Sequence, residues 1–224
     1  GDAAYIFGTA ANDTVHVHAN GEYMIEGGDG HDVFVLTGTG GTVSLQTYVD
    51  DFVHQPTGMP GHGFIHGGDG VDTIRLGAAN GITLDLPLDS ADWAARIDSI
   101  EVFDINRADA SGDRNVMIIN DDIAQKLAAQ SGGPIRIRGM AGDAVSMPFS
   151  EGWEITGQTT VNGVAYNIYE SASGQSIYAQ AHMARIVEGT GAGEDFVLPA
   201  SSTGVLDIVH AGDGNDTLYV DLQG

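Results

Sequence analysis

The sequence predicts a mainly β chain: a right-handed parallel β-roll or β-solenoid with a middle module that contains one or two short helices. Three observations predict it. A glycine-rich turn with an acidic sixth position and an apolar eighth position recurs five times. Apolar residues stand at matching distances from that acid in successive copies. Two pairs of copies are separated by close to the ~18 residues of one coil made from two nonapeptides.

The strong copies are Gly27-Gly28-Asp29-Gly30-His31-Asp32-Val33-Phe34, Gly67-Gly68-Asp69-Gly70-Val71-Asp72-Thr73-Ile74 and Ala211-Gly212-Asp213-Gly214-Asn215-Asp216-Thr217-Leu218. The weaker copies are Gly8-Thr9-Ala10-Ala11-Asn12-Asp13-Thr14-Val15 and Thr190-Gly191-Ala192-Gly193-Glu194-Asp195-Phe196-Val197. Two residues after each sixth-position aspartate stands Val15, Phe34, Ile74, Val197 or Leu218, and four residues after it Val17, Leu36, Leu76, Pro199 or Val220. Seven residues before it, in four copies, stands Ile6, Ile25, Ile65 or Val209. Residues two apart on a strand point to one face, so these positions share an interior. The alternate position, Thr14, Thr73 and Thr217, faces out. Val33 and Phe196 at that position imply that their coils are covered by another segment.

Asp13 and Asp32 lie one coil apart, as do Asp195 and Asp216. The 40 residues from Asp32 to Asp72 are two coils, or one coil with an insert. The opposite edge lacks the repeat: there Ala19-Asn20-Gly21-Glu22 reads as an ordinary tight turn.

In chain order, residues 1–86 are glycine-rich coils. Short β runs cover Ala4–Phe7, Thr14–Val17, Tyr23–Ile25, Val33–Leu36, Thr42–Tyr48, Phe64–His66, Thr73–Leu76 and Ile82–Leu86, each bounded by turn residues. Residues 49–63, with Pro56 and Pro60, read as an inserted loop. Residues 87–184 lack the repeat and read as a β-rich spacer. Ser90–Ile97 has the pattern of a short helix. Asn120–Gln130 has a stronger one: an Asn120 or Asp121 cap, Ile123 and Leu127 on one face, and Gly132-Gly133 as the stop. Strands are expected at Ile100–Ile105, Val116–Ile119, Ile135–Arg138, Trp153–Thr156, Thr159–Val161, Ala165–Tyr169 and Ser176–Ala179. Residues 185–224 return to the glycine turns.

Composition narrows the function. The 224 residues hold 31 acids against 8 Lys and Arg, a formal charge of -23. Such a surface repels phosphate backbones and anionic membranes, which excludes nucleic acid as a partner. No apolar run approaches the roughly 18 residues of a membrane span. Without cysteine there is neither a disulfide nor a thiolate metal site. The chain opens on Gly1-Asp2 and shows no signal peptide, and is expected to be an excerpt of a longer one.

The three Gly-x-Gly-x-Asp turns resemble the RTX (repeats-in-toxin) calcium-binding family. The middle is similar to a spacer module of very large RTX adhesins of Gram-negative bacteria. The matching pieces are Ile100-Glu101-Val102-Phe103-Asp104, the helix Asp121–Gln130, Ile135-Arg136-Ile137-x-Gly139-x-Ala141-Gly142-Asp143-x-Val145, Gly152-Trp153, and Val161-Asn162-Gly163-Val164-x-Tyr166-x-Ile168-Tyr169. The resemblance implies a protein secreted by the type I route, extracellular or on the bacterial cell surface. One departure stands out: family rolls stack many uninterrupted repeats with calcium on both edges, whereas these copies are isolated.

The resemblance also implies ligands. Calcium takes six to eight oxygens, more than one turn supplies, so two stacked turns share an ion. The carboxylates would be Asp13, Asp32, Asp72, Asp195 and Asp216. Gly28, Gly30, Gly68, Gly70, Gly191, Gly193, Gly212 and Gly214 would bring carbonyls inward, and Asp29, Asp69 and Asp213 would add a carbonyl or charge. Two to four ions are expected. Carboxylates one rung (about 4.8 Å) apart repel by roughly 0.9 kcal/mol at a dielectric of 80 and about 3.5 kcal/mol at 20, so calcium should couple to folding.

Other constellations are less specific. His54, His62 and His66 lie among glycines that prevent a helical zinc motif, and His16 and His18 read as outward strand residues. No Gly-x-Ser-x-Gly elbow is present, and acid pairs have no specificity among 31 acids, so no enzyme is expected. Trp153, Tyr166, Tyr169 and Tyr178 offer rings for a sugar, but aromatic residues in β modules are more often core. The expected function is calcium-dependent structural support within an adhesin, next to neighbouring domains of a longer chain. The alternatives are a module binding an extracellular glycan or surface protein, an accessory module of a secreted RTX enzyme, or an S-layer segment.

Overall fold

A computed structural model of the chain describes residues 4–18, 23–37, 41–44, 64–77, 80–86, 97–108, 110, 112–198 and 204–220. Among them the architecture is mainly β, with parallel sheets and one α-helix. The first coil is β1 (Ala4–Phe7) and β2 (Thr14–His18). The second is β3 (Tyr23–Gly30), β4 (Val33–Thr37) and β5 (Gly41–Ser44). The third is β6 (Phe64–Gly70), β7 (Thr73–Leu76) and β8 (Ile82–Asp85), and the fourth β9 (Ile97–Asp98), β10 (Val102–Asp104) and β11 (Val116–Ile118). Helix α1 (Asp121–Ser131) precedes β12 (Arg136–Arg138) and β13 (Ala144–Pro148). A 3₁₀ turn, Phe149–Glu151, leads to a hairpin of β14 (Glu154–Val161) and β15 (Val164–Glu170). Then come β16 (Ser176–Gln180), β17 (Ala184–Glu188), β18 (Asp195–Leu198), β19 (Asp207–His210) and β20 (Thr217–Val220).

Successive strands of a full coil go to three different sheets. The first is β1-β3-β6-β9, and the second is β2-β4-β7-β10-β12-β16, extended by the antiparallel hairpin. The third is β5-β8-β11-β13-β17-β19, and β18 and β20 pair by themselves. Asp32 and Asp72 are 40 residues apart yet belong to adjacent coils, so the long spacing is one coil carrying an insert. Sheets cross both boundaries drawn from sequence. β8 pairs with β11 and β13 with β17, and one apolar core runs from Val17 to Met183. The spacer therefore continues the winding.

The core is made of rows in register. Phe34, Ile74, Phe103, Ile137 and Ala179 are consecutive partners across the second sheet. Leu84, Met117 and Val145 form the row of the third sheet, and Ile25, Ile65 and Ile97 that of the first. All are buried. Burying each large apolar side chain contributes about 1.5–3 kcal/mol, so the stack of coils is held chiefly by these rows. The outward row Thr73, Val102 and Arg136 is also largely closed to solvent.

Helix α1 forms where its signals stand. The Asn120 side chain accepts the Ile123 backbone N–H at 2.8 Å, Asp121 and Asp122 occupy the positive end, and Gly132 ends it with φ 72°. It buries Ile123, Ala124 and Leu127 and contacts β9. The expected helix over Ser90–Ile97 falls on residues outside those described, except Ile97, which opens β9 instead. The turn at 19–22, the loop 49–63, His54 and His62 lie outside the described residues too.

The last coils correct the alignment by one residue. Asp195 pairs with Thr217, and Phe196 with Leu218, so Glu194 stands opposite Asp216. Phe196 points inward and is buried, its ring tilted 46° against that of Phe149, while Val197 is 66% exposed. A slip of one residue on a strand exchanges its faces. Val187, seven residues before Glu194, pairs with Val209 and completes the apolar set that Asp195 had left one short. Phe196→Ala should therefore cost about 3–5 kcal/mol, and Val197→Ala less than about 0.5 kcal/mol, in urea unfolding followed at the β signal. The opposite order would restore the alignment on Asp195.

Candidate metal centre

The turns joining β1 to β2, β3 to β4 and β6 to β7 lie above one another on one edge. Glycine is required there by conformation and by space. Gly28 and Gly68 hold φ near 100°, and Gly30 and Gly70 hold 125° and 141°. A Cβ on Gly27 would strike the Asp32 carboxylate and the Gly67 carbonyl, and one on Gly67 would strike the Asp72 carboxylate and the Ser99 carbonyl.

The acids form a ladder. The Asp13 backbone N–H donates to Asp32 Oδ1 at 2.8 Å, the Asp32 N–H to Asp72 Oδ1 at 2.7 Å, and the Asp72 N–H to Glu101 Oε2 at 2.7 Å. Asp32 and Asp72 are buried, and the second oxygen of each, Oδ2, has no hydrogen-bond partner. Both oxygens lie in the seam between their own first glycine and the carbonyl of the coil below. An unpartnered buried carboxylate oxygen is costly, and beside a carbonyl it calls for a hydrogen-bond donor or a cation.

The flanking turns differ at their second residue. Thr9, in the place of Gly28, gives Asp13 Oδ2 its backbone N–H at 2.6 Å and its hydroxyl at 2.9 Å. Thr190 does the same for Glu194, with the hydroxyl at 2.7 Å. At the opposite edge of the second sheet, Asp143 accepts the Asn115 N–H at 2.9 Å, repeating the ladder. There Arg107 fills the seam: it lies 3.7 Å from Asp143 and donates to the Gly112 and Ala141 carbonyls. Asp104 has Arg75 and Asp207 has Arg185. Among the described residues no ion pair reaches Asp32 or Asp72.

The other expected ligands scatter. Asp29 and Asp69 are exposed neighbours in register, and Asp213 is exposed. Gly212 and Gly214 repeat the positive-φ pattern at 82° and 133° over the carbonyls of Thr190 and Ala192. Gly191 and Gly193 do not, because the true copy begins at Gly189; Gly193 approaches the Asn215 carbonyl, and Asp195 opens β18, exposed. Asp216 accepts the Glu194 N–H at 3.0 Å, on the edge between the third sheet and the β18–β20 pair. The five turns thus form two separate stacks. Sequence reasoning missed Glu101 and Glu194 as ladder acids, and Asn115, Asp143 and Arg107 as a second ladder. Asn115 and Asp143 each stand just before a strand, as Asp32 and Asp72 do, and that was the available signal.

Burial pushes the Asp72 carboxyl from 3.8 up to about 6, reinforced by Glu101 and Asp32 against the Asp32 N–H and His31. Burial also raises Glu101. Of the four rings considered for a sugar, Trp153, Tyr166 and Tyr169 are buried and Tyr178 is half-buried, and the indole N–H of Trp153 goes to Glu151. His66 pairs with Asp98 on an outer face, and His16 and His18 are exposed. Among the described residues no three His, Asp or Glu side chains converge as a ready metal cage, so each seam offers carboxylate and carbonyl oxygens instead. No protein-family model, curated protein or solved structure matches the chain.

In chelator the folded protein holds the Asp72 proton more tightly than the unfolded chain does. Its contribution is complete below about pH 4 and is lost as pH rises through about 6. The melting temperature should fall across that window, and Asp72→Asn should flatten the fall. Arg107→Ala leaves Asp143 buried without its cation and should cost about 3–5 kcal/mol in denaturant unfolding. A loss below about 1 kcal/mol would mean that Arg107 does not neutralise Asp143.

Proposed function

We propose that the chain is a calcium-binding β-solenoid segment, of β-roll type at its glycine turns, in a secreted or cell-surface bacterial RTX adhesin. Its role is structural: calcium rigidifies the coil once the protein is outside the cell. The observation that carries this is the pair of buried, unpartnered carboxylate oxygens, Asp32 Oδ2 and Asp72 Oδ2, each against a backbone carbonyl in a glycine-lined seam. That donor set is all oxygen, as a hard cation prefers, and the sequence has no thiolate to favour a softer metal. Calcium bound there would neutralise the stacked acids and fill the coordination left by one carboxylate with carbonyls and water.

Extracellular modules bind calcium at about 10⁻⁴–10⁻³ M, so the low concentration inside a cell leaves such seams unfilled and favours folding after export. Titrating calcium into EGTA-stripped protein, with calorimetry and far-UV circular dichroism read together, should give heat and a gain of β signal. Asp32→Ala should weaken binding at least tenfold. No heat up to about 10 mM calcium, well above that range, with unchanged dichroism would overturn the proposal.

A further inference from the structure

The turns share one backbone plan but close their carboxylate seams in different ways, and the difference assigns the ions. At the Asp13 turn the carboxylate oxygen facing the seam takes two hydrogen bonds from Thr9. At the Glu194 turn both oxygens accept from Thr190. At Asp32 and Asp72 the second residue is glycine, with no hydroxyl and a φ near 100°. Their seam oxygens are buried and have no partner.

The lower seam has a second peculiarity. The coil beneath Asp72 has no glycine turn; the chain passes from β9 to β10 through Ser99, Ile100 and Glu101. Ser99 nevertheless holds a left-handed φ of 53°, and its carbonyl lies against Gly67 beside Asp72 Oδ2. Glu101 takes the ladder position, its Oε2 accepting the Asp72 N–H. A residue outside the glycine repeats therefore completes the seam.

Building on the calcium assignment above, we propose that the first stack binds one ion in the Asp32–Gly67 seam and one in the Asp72–Ser99 seam, the latter with the Glu101 carboxylate, and that Thr9 and Thr190 replace the ion in the Asp13 and Glu194 turns. The Thr hydroxyl and N–H supply the two donors that a cation would otherwise substitute. A glycine at the same place has no hydroxyl, its N–H does not reach Asp32 Oδ2 or Asp72 Oδ2, and the seam keeps its charge. Glu101 is the carboxylate that the ladder itself brings to Asp72, its Oε2 accepting the Asp72 N–H.

Calcium bound by the full chain, counted by native mass spectrometry and titrated calorimetrically, tests this. Asp32→Asn and Asp72→Asn should each lose one ion, and Glu101→Gln should weaken one ion at least tenfold. Asp13→Asn and Glu194→Gln should leave the count unchanged. Thr9→Gly should add one ion, and Asp13→Asn in that background should remove it. These last changes fall on half-buried or exposed turn residues, so the test does not depend on core variants folding. An ion lost on Asp13→Asn or Glu194→Gln in the native background, an unchanged affinity in Glu101→Gln, or no added ion in Thr9→Gly would overturn the assignment while leaving calcium binding in place. A native chain that takes up no calcium would remove the calcium proposal itself, and the assignment with it.

Discussion

The stacking of acidic turns at one strand spacing is the constraint on which this coil depends. Each turn must give its last backbone N–H an acceptor, and the acceptor is the carboxylate of the turn below. That bond fixes the register of the strands that follow. It also aligns a column of negative charge in a place that water reaches poorly. At a dielectric of 20, adjacent charges at such a spacing repel by several kcal/mol, comparable with the burial of one or two core side chains. The coil can keep its hydrogen-bond ladder only if something neutralises the column.

The chain uses donors of different reach for that purpose. A threonine satisfies the carboxylate by hydrogen bonding within its own turn, which suffices where the carboxylate is partly solvated, as at Asp13 and Glu194. Arg107 reaches across its corner, donates to two carbonyls and sets its charge 3.7 Å from the buried Asp143, whose Oδ2 also accepts the Met140 N–H. Asp32 and Asp72 are as deeply buried as Asp143 but have no arginine, and glycine offers no hydroxyl in the place of Thr9. Among the described residues they are the ladder acids with a buried oxygen that no donor reaches.

Much of this was legible in the sequence because its signals are local. Short apolar runs between glycine turns mark strands irrespective of tertiary context, and Asn120 with Gly132 bounds the helix by capping chemistry alone. The inward rows were read from offsets of two and seven residues, which translate directly into strand faces. Three features were not legible. The third sheet depends on where the chain turns between coils, and β13 follows a turn, Gly139-Met140-Ala141-Gly142-Asp143, in which only Gly139 matches a glycine of the repeat. The ladder acids Glu101 and Glu194 are glutamates, and a frame keyed on aspartate shifts by one to find Asp195. Arg107 lies 36 residues from Asp143, and only the coil brings them together.

The one-residue slip at Glu194 shows why a turn motif alone is a weak ruler. The motif tolerates a neighbour, because Glu194 and Asp195 both offer a carboxylate near the sixth position. The strand does not, because Phe196 and Val197 cannot both face inward. One is buried against Phe149 and the other stands in solvent. Burying a phenylalanine outweighs the difference between two exposed or half-exposed carboxylates by a few kcal/mol. The apolar rows therefore set the register, and the acids occupy whatever turn positions that register leaves them. Ligand positions in such a coil are better assigned backward from the core, seven residues after one inward side chain and two before the next, than forward from the glycines.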